Sequence, residues 1–188
     1  MPSTASPYGL RPSYHPSGTI RQTAGTIATG YATSLLQFAP VALAAAGDIG
    51  IVIGTAGNRI VGVFMGVEYT DTNGRRVVAN QWTASTTATE IVAYYTDDPA
   101  IVYEIQSDAA IVSADVGSQF DWTTATVGST TTGLSSVALS ASTLTSTGNA
   151  GLRVIGLGRE ADNAWADTFT NVMVQISEHQ MIADRAAF

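Results

Sequence analysis

The sequence contains no cysteine and no lysine. Without thiols there is no disulfide, no thiolate zinc site and no cysteine nucleophile, and the chain carries no sign of the redox state of its compartment. All eight basic groups are arginine, whose planar fork suits contacts better than simple hydration. Charge of either sign is scarce. Only 12% of the residues are charged, against about 25% in ordinary globular domains, so the surface is built from neutral Thr, Ser, Ala and Gly or is covered by another subunit. Histidine is limited to His15 and His179. No recognisable motif surrounds either, which leaves a histidine zinc site or a Ser-His-Asp relay without support.

The charges present are unevenly placed. All fifteen acidic residues follow position 47, whereas the first 47 residues have Arg11, Arg21 and His15 as their only basic side chains. The net charge of −7 therefore divides into a short basic segment and an acidic remainder in which six arginines face fifteen carboxylates. Phosphate recognition needs clustered basic groups, and only Arg75 and Arg76 are adjacent, so nucleic acid is not expected as a partner. A membrane is not expected either: the most apolar stretch, Leu35 to Gly54, is interrupted by Gln37, Pro40 and Asp48. No basic leader with an apolar run opens the chain, and Ala42-Leu43-Ala44, which imitates a signal-peptidase site, lies too far in. The expectation is a soluble chain made without a classical secretion signal.

Pro2, Pro7, Pro12 and Pro16 keep the opening residues from running as a helix and resist their entry into a central strand. Residues 1–33 therefore read as an extended arm, and residues 34–188 as a single β-rich domain with no strong internal linker. The arm mixes Tyr8, Leu10, Tyr14 and Ile20 with Arg11 and Arg21, a composition suited to docking on a surface.

In the body, β-branched and aromatic residues come in short runs broken by Gly, Asn and Asp. Strands are expected near 34–39, 49–55, 59–70, 76–82, 90–95, 101–107, 134–139, 152–157 and 171–178. Gly57-Asn58 and Asn73-Gly74 read as tight turns of an antiparallel meander. The longest helical candidate is Ser107 to Ala114, about two turns. The fold class is all-β, an antiparallel β-barrel or sandwich with an extended N-terminal arm and little helix. From Trp122 through Leu152 there is no charged residue. In that Thr-rich run Leu134, Val137, Leu139 and Leu144 offer a buried face.

Chemical motifs fail on context. Gly156-Leu-Gly158-Arg-Glu-Ala161 matches a dinucleotide fingerprint in letters, but a strand-like run follows where the helix of a βαβ unit is required. Asp71-Thr-Asn73-Gly74 lacks the later ligands of a calcium loop and reads as a hairpin turn. Asp97-Asp98-Pro99 reads as an acidic turn. Glu160 with Asp162, or Glu104 with Asp108, are carboxylate pairs expected by chance in a chain with fifteen acids. No catalytic residue, cofactor or metal is therefore expected. Trp82, Trp122 and Trp165 read as core.

Residues 62–108, from GVFMGVEYTDTNGRRVVANQW to EIQSD, residues 152–179, LRVIGLGREADNAWADTFTNVMVQISEH, and the opening PYGLRPSYHPSG resemble the capsid decoration, or cement, proteins of tailed bacteriophages, including phages of cyanobacteria and related podophages and myophages. The resemblance covers most of the chain and is weakest in the Thr-rich middle. It implies a β-rich homotrimer on the outer surface of the virion head, made in the host cytoplasm, that ties neighbouring major capsid proteins together and needs no chemistry. From the arm's composition, Tyr8, Arg11, Tyr14, His15 and Arg21 are the candidate capsid contacts, aromatics as anchors and arginines as donors. The rival from another class is a receptor-binding or carbohydrate-binding β-module, which Thr-rich loops and exposed Trp would suit. A hydrolase with an unrecognised β-fold is a third.

Overall fold

Short β-branched runs separated by turn residues pair well with neighbours but cannot propagate a helix. The computed structural model, which describes residues 4–44, 50–145 and 149–182, is accordingly all-β apart from two 3-10 turns at Ser113–Asp115 and Ala141–Thr143. Its strands are β1 (Arg11–Tyr14), β2 (Thr23–Gly25), β3 (Pro40–Leu43), β4 (Ile51–Ile53), β5 (Gly62–Thr70), β6 (Arg76–Ala79), β7 (Thr89–Tyr95), β8 (Val102–Gln106), β9 (Gln119–Phe120), β10 (Gly128–Ser129), β11 (Leu134–Ser135), β12 (Leu152–Leu157) and β13 (Asn171–Ile176).

Two large antiparallel sheets result. One runs β1-β8-β13-β12-β9; the other runs β2-β7-β5-β3-β4, with β6 also paired to β5. β10 and β11 form a separate hairpin. Neither large sheet closes on itself among the described residues, so the barrel expectation gives way to a sandwich-like arrangement.

Each sheet has its own apolar cluster. Tyr103, Ile105, Phe120, Trp122, Leu152, Val154, Val172 and Val174 fill the first; Val41, Phe64, Val67, Trp82, Ala93 and Tyr95 fill the second. β5 joins them, because Val63 enters the first cluster while its neighbour Phe64 enters the second, as period-2 alternation requires. Trp82 and Trp122 are core, as expected, and Trp165 packs half-buried against the first cluster.

Several elements differ from the sequence reading. Residues 4–33 are not a projecting arm: β1 closes one edge of the first sheet and β2 closes one edge of the second. Leu10 is fully buried in the first cluster and Ile27 lies in the second. Pro12 is tolerated because β1 is an edge strand, where a missing N–H costs no ladder bond on the solvent side. Pro2 lies outside the described residues. The boundary at residues 33 and 34 therefore separates no structural unit.

Residues 34–39 do not form a strand. Leu35 bridges Trp82, Gln37 bridges Leu134, and Phe38 turns the chain with a positive φ of 68° before β3 begins. The expected strand at 49–55 shortens to β4; Ile49, like Asp48, lies outside the described residues. Gly57-Asn58 is a turn but not a hairpin, since β3 lies between β4 and β5. Asn73-Gly74 does close a hairpin, β5–β6, with Gly74 at φ 78° and the Asp71 carboxylate accepting the Asn73 and Arg75 amides. The helix expected over 107–114 reduces to the 3-10 turn at 113–115 because Ser107 is bonded into the β8 region, its amide donating to the Thr170 carbonyl.

Within the second sheet, the start of β5 and the end of β7 approach tightly at Gly62. A Cβ placed there would lie 1.9 Å from the Thr96 carbonyl oxygen, which is backbone and has nowhere to move. Gly62→Ala should therefore lower the urea unfolding free energy by about 3 kcal/mol without changing the m-value.

Candidate functional site

All five residues of β8 are buried. Tyr103 and Ile105 point into the first cluster, so by alternation Val102, Glu104 and Gln106 lie on the opposite face. That face is covered by the N-terminal segment. The Ser6 amide donates to Gln106 Oε1, Gln106 Nε2 donates to the Thr4 carbonyl, and Arg11 stands opposite Glu104 in the β1–β8 ladder. A carboxylate only 7% exposed must be paired. Arg11 supplies the pairing through a 2.5 Å contact from Nη2 to Glu104 Oε2.

The loop between β12 and β13 completes the cluster. Glu160 Oε1 lies 3.9 Å from Arg11 Nη2, while Glu160 Oε2 is buried with no donor. The Glu160 carboxyl faces that of Glu104, both crowding Gly158, where a Cβ would lie 2.8 Å from Glu160 Oε2 and 3.0 Å from Glu104 Oε1. Two carboxyl groups brought together beside one guanidinium make ionisation of the second less favourable. Burial first, and then this contact, push the Glu160 carboxyl above the usual carboxylate range. The hydrogen bond to Glu104 raises Arg11. Tyr8 packs its ring 4.8 Å beneath the Arg11 guanidinium, and its buried hydroxyl is pushed upward mainly by desolvation and then by Glu104 and Glu160. Arg159 stacks 5.4 Å over the Tyr14 ring.

The remaining strap residues form a second group. His15 Nε2 lies 3.2 Å from Asp98 Oδ2, and Thr23 donates to Asp97. Asp98 is held below its ordinary range by the Ala100 amide, then by His15 and Arg21. Arg21 is exposed beside this acidic turn.

The structure thus brings all five expected contact residues onto the chain's own body. Tyr8 and Arg11 join Glu104 and Glu160, Tyr14 joins Arg159, and His15 and Arg21 join Asp98. The carboxylate pair takes one member from each of the two sequence-local pairs that composition offered, Glu104 with Glu160 rather than either with its near neighbour. No sequence spacing signals it, because it depends on the β8–β13 and β12–β13 ladders placing the loop over β8. His179 lies fully buried beside Ile60, far in sequence and partners from His15. Gly158 sits against the same carboxyls in a loop without helix, so the glycine fingerprint builds no phosphate site.

A second surface is neutral. The β10–β11 hairpin exposes Leu134, with Val127 just before it, and is held by Asn80 donating to the Thr132 carbonyl and Gln81 donating to the Thr130 carbonyl. Leu144 is also exposed, whereas Val137 and Leu139 are core. A cavity of about 390 Å³ opens between residues 53–56 and 122–126, and no charged group lines it. Trp122, at 2% exposure, offers it no open ring face.

No helix among the described residues is long and apolar enough to cross a membrane. Compared with protein-family models, curated proteins and solved structures, the chain has no significant match.

Removing the guanidinium while keeping its stem isolates a buried carboxylate. Arg11→Met should cost about 1–2 kcal/mol in urea unfolding, below the full penalty of a buried pair because Arg11 is half solvated. Arg21→Gln should stay within about 0.5 kcal/mol of the parent.

Proposed function

We propose that the protein is a structural component of a virion: a decoration protein that binds the outer surface of assembled tailed-phage heads as a homotrimer and ties neighbouring major capsid proteins together. The resemblance of residues 7–18, 62–108 and 152–179 to cement proteins supports this reading. The observation that carries it furthest is that the uncharged stretch of residues 122–145 leaves Val127, Leu134 and Leu144 exposed among Thr and Ser. Such a surface needs no charge complement and favours burial against a protein partner. Binding only to the assembled shell would stabilise it by mass action, and three linked copies would add avidity.

The strap residues enter this reading in reduced form. Tyr8 and Arg11 are committed to the internal carboxyl cluster, whereas Tyr14 and Arg21 keep outward surface. Those two are the proposed capsid contacts from the strap. The neutral cavity beside Trp122 favours the carbohydrate-binding reading, as the Thr-rich loops do, but its indole is buried, and saccharide recognition by stacking uses an open aromatic face.

Purified protein should run as a trimer by mass and pellet with undecorated tailed-phage heads. Leu134→Asp should reduce that binding by about tenfold or more, the cost of burying an unpaired charge, with little effect on folding because the site is exposed. Wild-type protein that stays in the supernatant while binding a glycan array would overturn the decoration reading in favour of its rival.

A further inference from the structure

The Glu104–Glu160 cluster holds more negative charge than its cation can balance. Arg11 is in contact with both carboxyls, at 2.5 Å and 3.9 Å. The oxygens Glu104 Oε1 and Glu160 Oε2 converge on Gly158, since a Cβ there would fall 3.0 Å and 2.8 Å from them. The described elements around the pair supply no second cation. The strap contributes Arg11 and the neutral Tyr8, β13 contributes the Asn171 carbonyl and uncharged Met173 opposite Glu104, and β8 contributes Tyr103 on its other face. The β12–β13 loop contributes Arg159, which is engaged on Tyr14, and Asp162, which is exposed. One guanidinium therefore serves two carboxyls.

We propose that Glu104 and Glu160 form a proton-sharing latch on the N-terminal strap, and that loss of the proton frees the 158–163 loop and loosens β1 from β8. The two partners are unequal. Glu104 is fixed in a strand paired on both sides, whereas Glu160 lies in a loop with about a third of its side chain exposed. Glu160 is the group that moves. When it leaves, Arg159, the adjacent residue, is drawn from its position over Tyr14, and β1 is left with its ladder, the Arg11–Glu104 pair and the Arg11–Tyr8 stack.

The direction follows from linkage. Glu160 is raised above its unfolded value by burial and by Glu104. Its contribution is therefore fully present below the ordinary glutamate range and is lost as pH rises through the elevated value. Acidic groups such as Asp98 and Asp71, which backbone amides hold low, act in the opposite sense and over a lower range.

Carboxyl carbon NMR and amide exchange on the full chain test this together. The Glu160 carboxyl should titrate above ordinary glutamate. Protection factors of β1 and residues 158–163 should fall by about tenfold for each unit of that elevation as pH rises through the step. Glu160→Gln keeps a donor for Glu104 and should hold those protection factors flat with pH, while Asp162→Asn should retain the wild-type step. A Glu160 carboxyl that titrates at the ordinary value overturns the proposal, as does a Gln variant with the wild-type pH dependence. If the Gln variant fails to fold, the wild-type titration alone decides.

Discussion

A strand buried on both faces needs two covers, and most of this structure follows from where β8 finds its second. Its inner face packs on β12 and β13 side chains in the first cluster. Its outer face is roofed by residues 4–14 and the β12–β13 loop. Because the outer face includes Glu104, the roof must bring a cation, and Arg11 is the residue that the ladder register sets opposite. Ordering a Pro-rich segment costs roughly 1–2 kcal/mol per residue. Leu10 in the core, the edge ladders of β1 and β2 and the Arg11 pair together offset that cost.

The strap also couples the two sheets. β1 lies on the first and β2 on the second, so the exposed stretch between them, which includes Pro16 and Gly18, spans both layers. β5 makes the same connection inside the molecule by sending Val63 to one cluster and Phe64 to the other. The ion pairs gather in two places, around Glu104 and Asp98 beneath the strap and around Asp71, Glu68 and Glu90 at the β5–β6 hairpin, while residues 122–145 contribute no charge. Val127, Leu134 and Leu144 are exposed within that uncharged stretch.

Much of this was legible beforehand. The all-β class, the β5–β6 hairpin and the cores around Trp82 and Trp122 followed from local periodicity and turn chemistry. So did the exclusion of a strand-turn-helix at Gly156–Gly158. These depend on residues close in sequence, and local rules suffice for them. The strap was misread for a related reason: its prolines and arginines describe an edge segment correctly but not which edge it joins. Likewise Gly57-Asn58 announced a turn, while the insertion of β3 between the strands it joins depends on pairing across the sheet.

By itself, then, the sequence determined the strand content, the neutral run from Trp122 to Leu152, the absence of thiol chemistry and the segregation of basic from acidic residues. Those are properties of composition and short-range pattern. Only the tertiary structure decided that Arg11 meets Glu104, that Glu160 rather than Asp108 shares its site, and that the strap covers its own body. Each of these requires residues far apart in the chain to be set by antiparallel register, and register is chosen by the packing of a whole sheet face rather than by any one residue's neighbours.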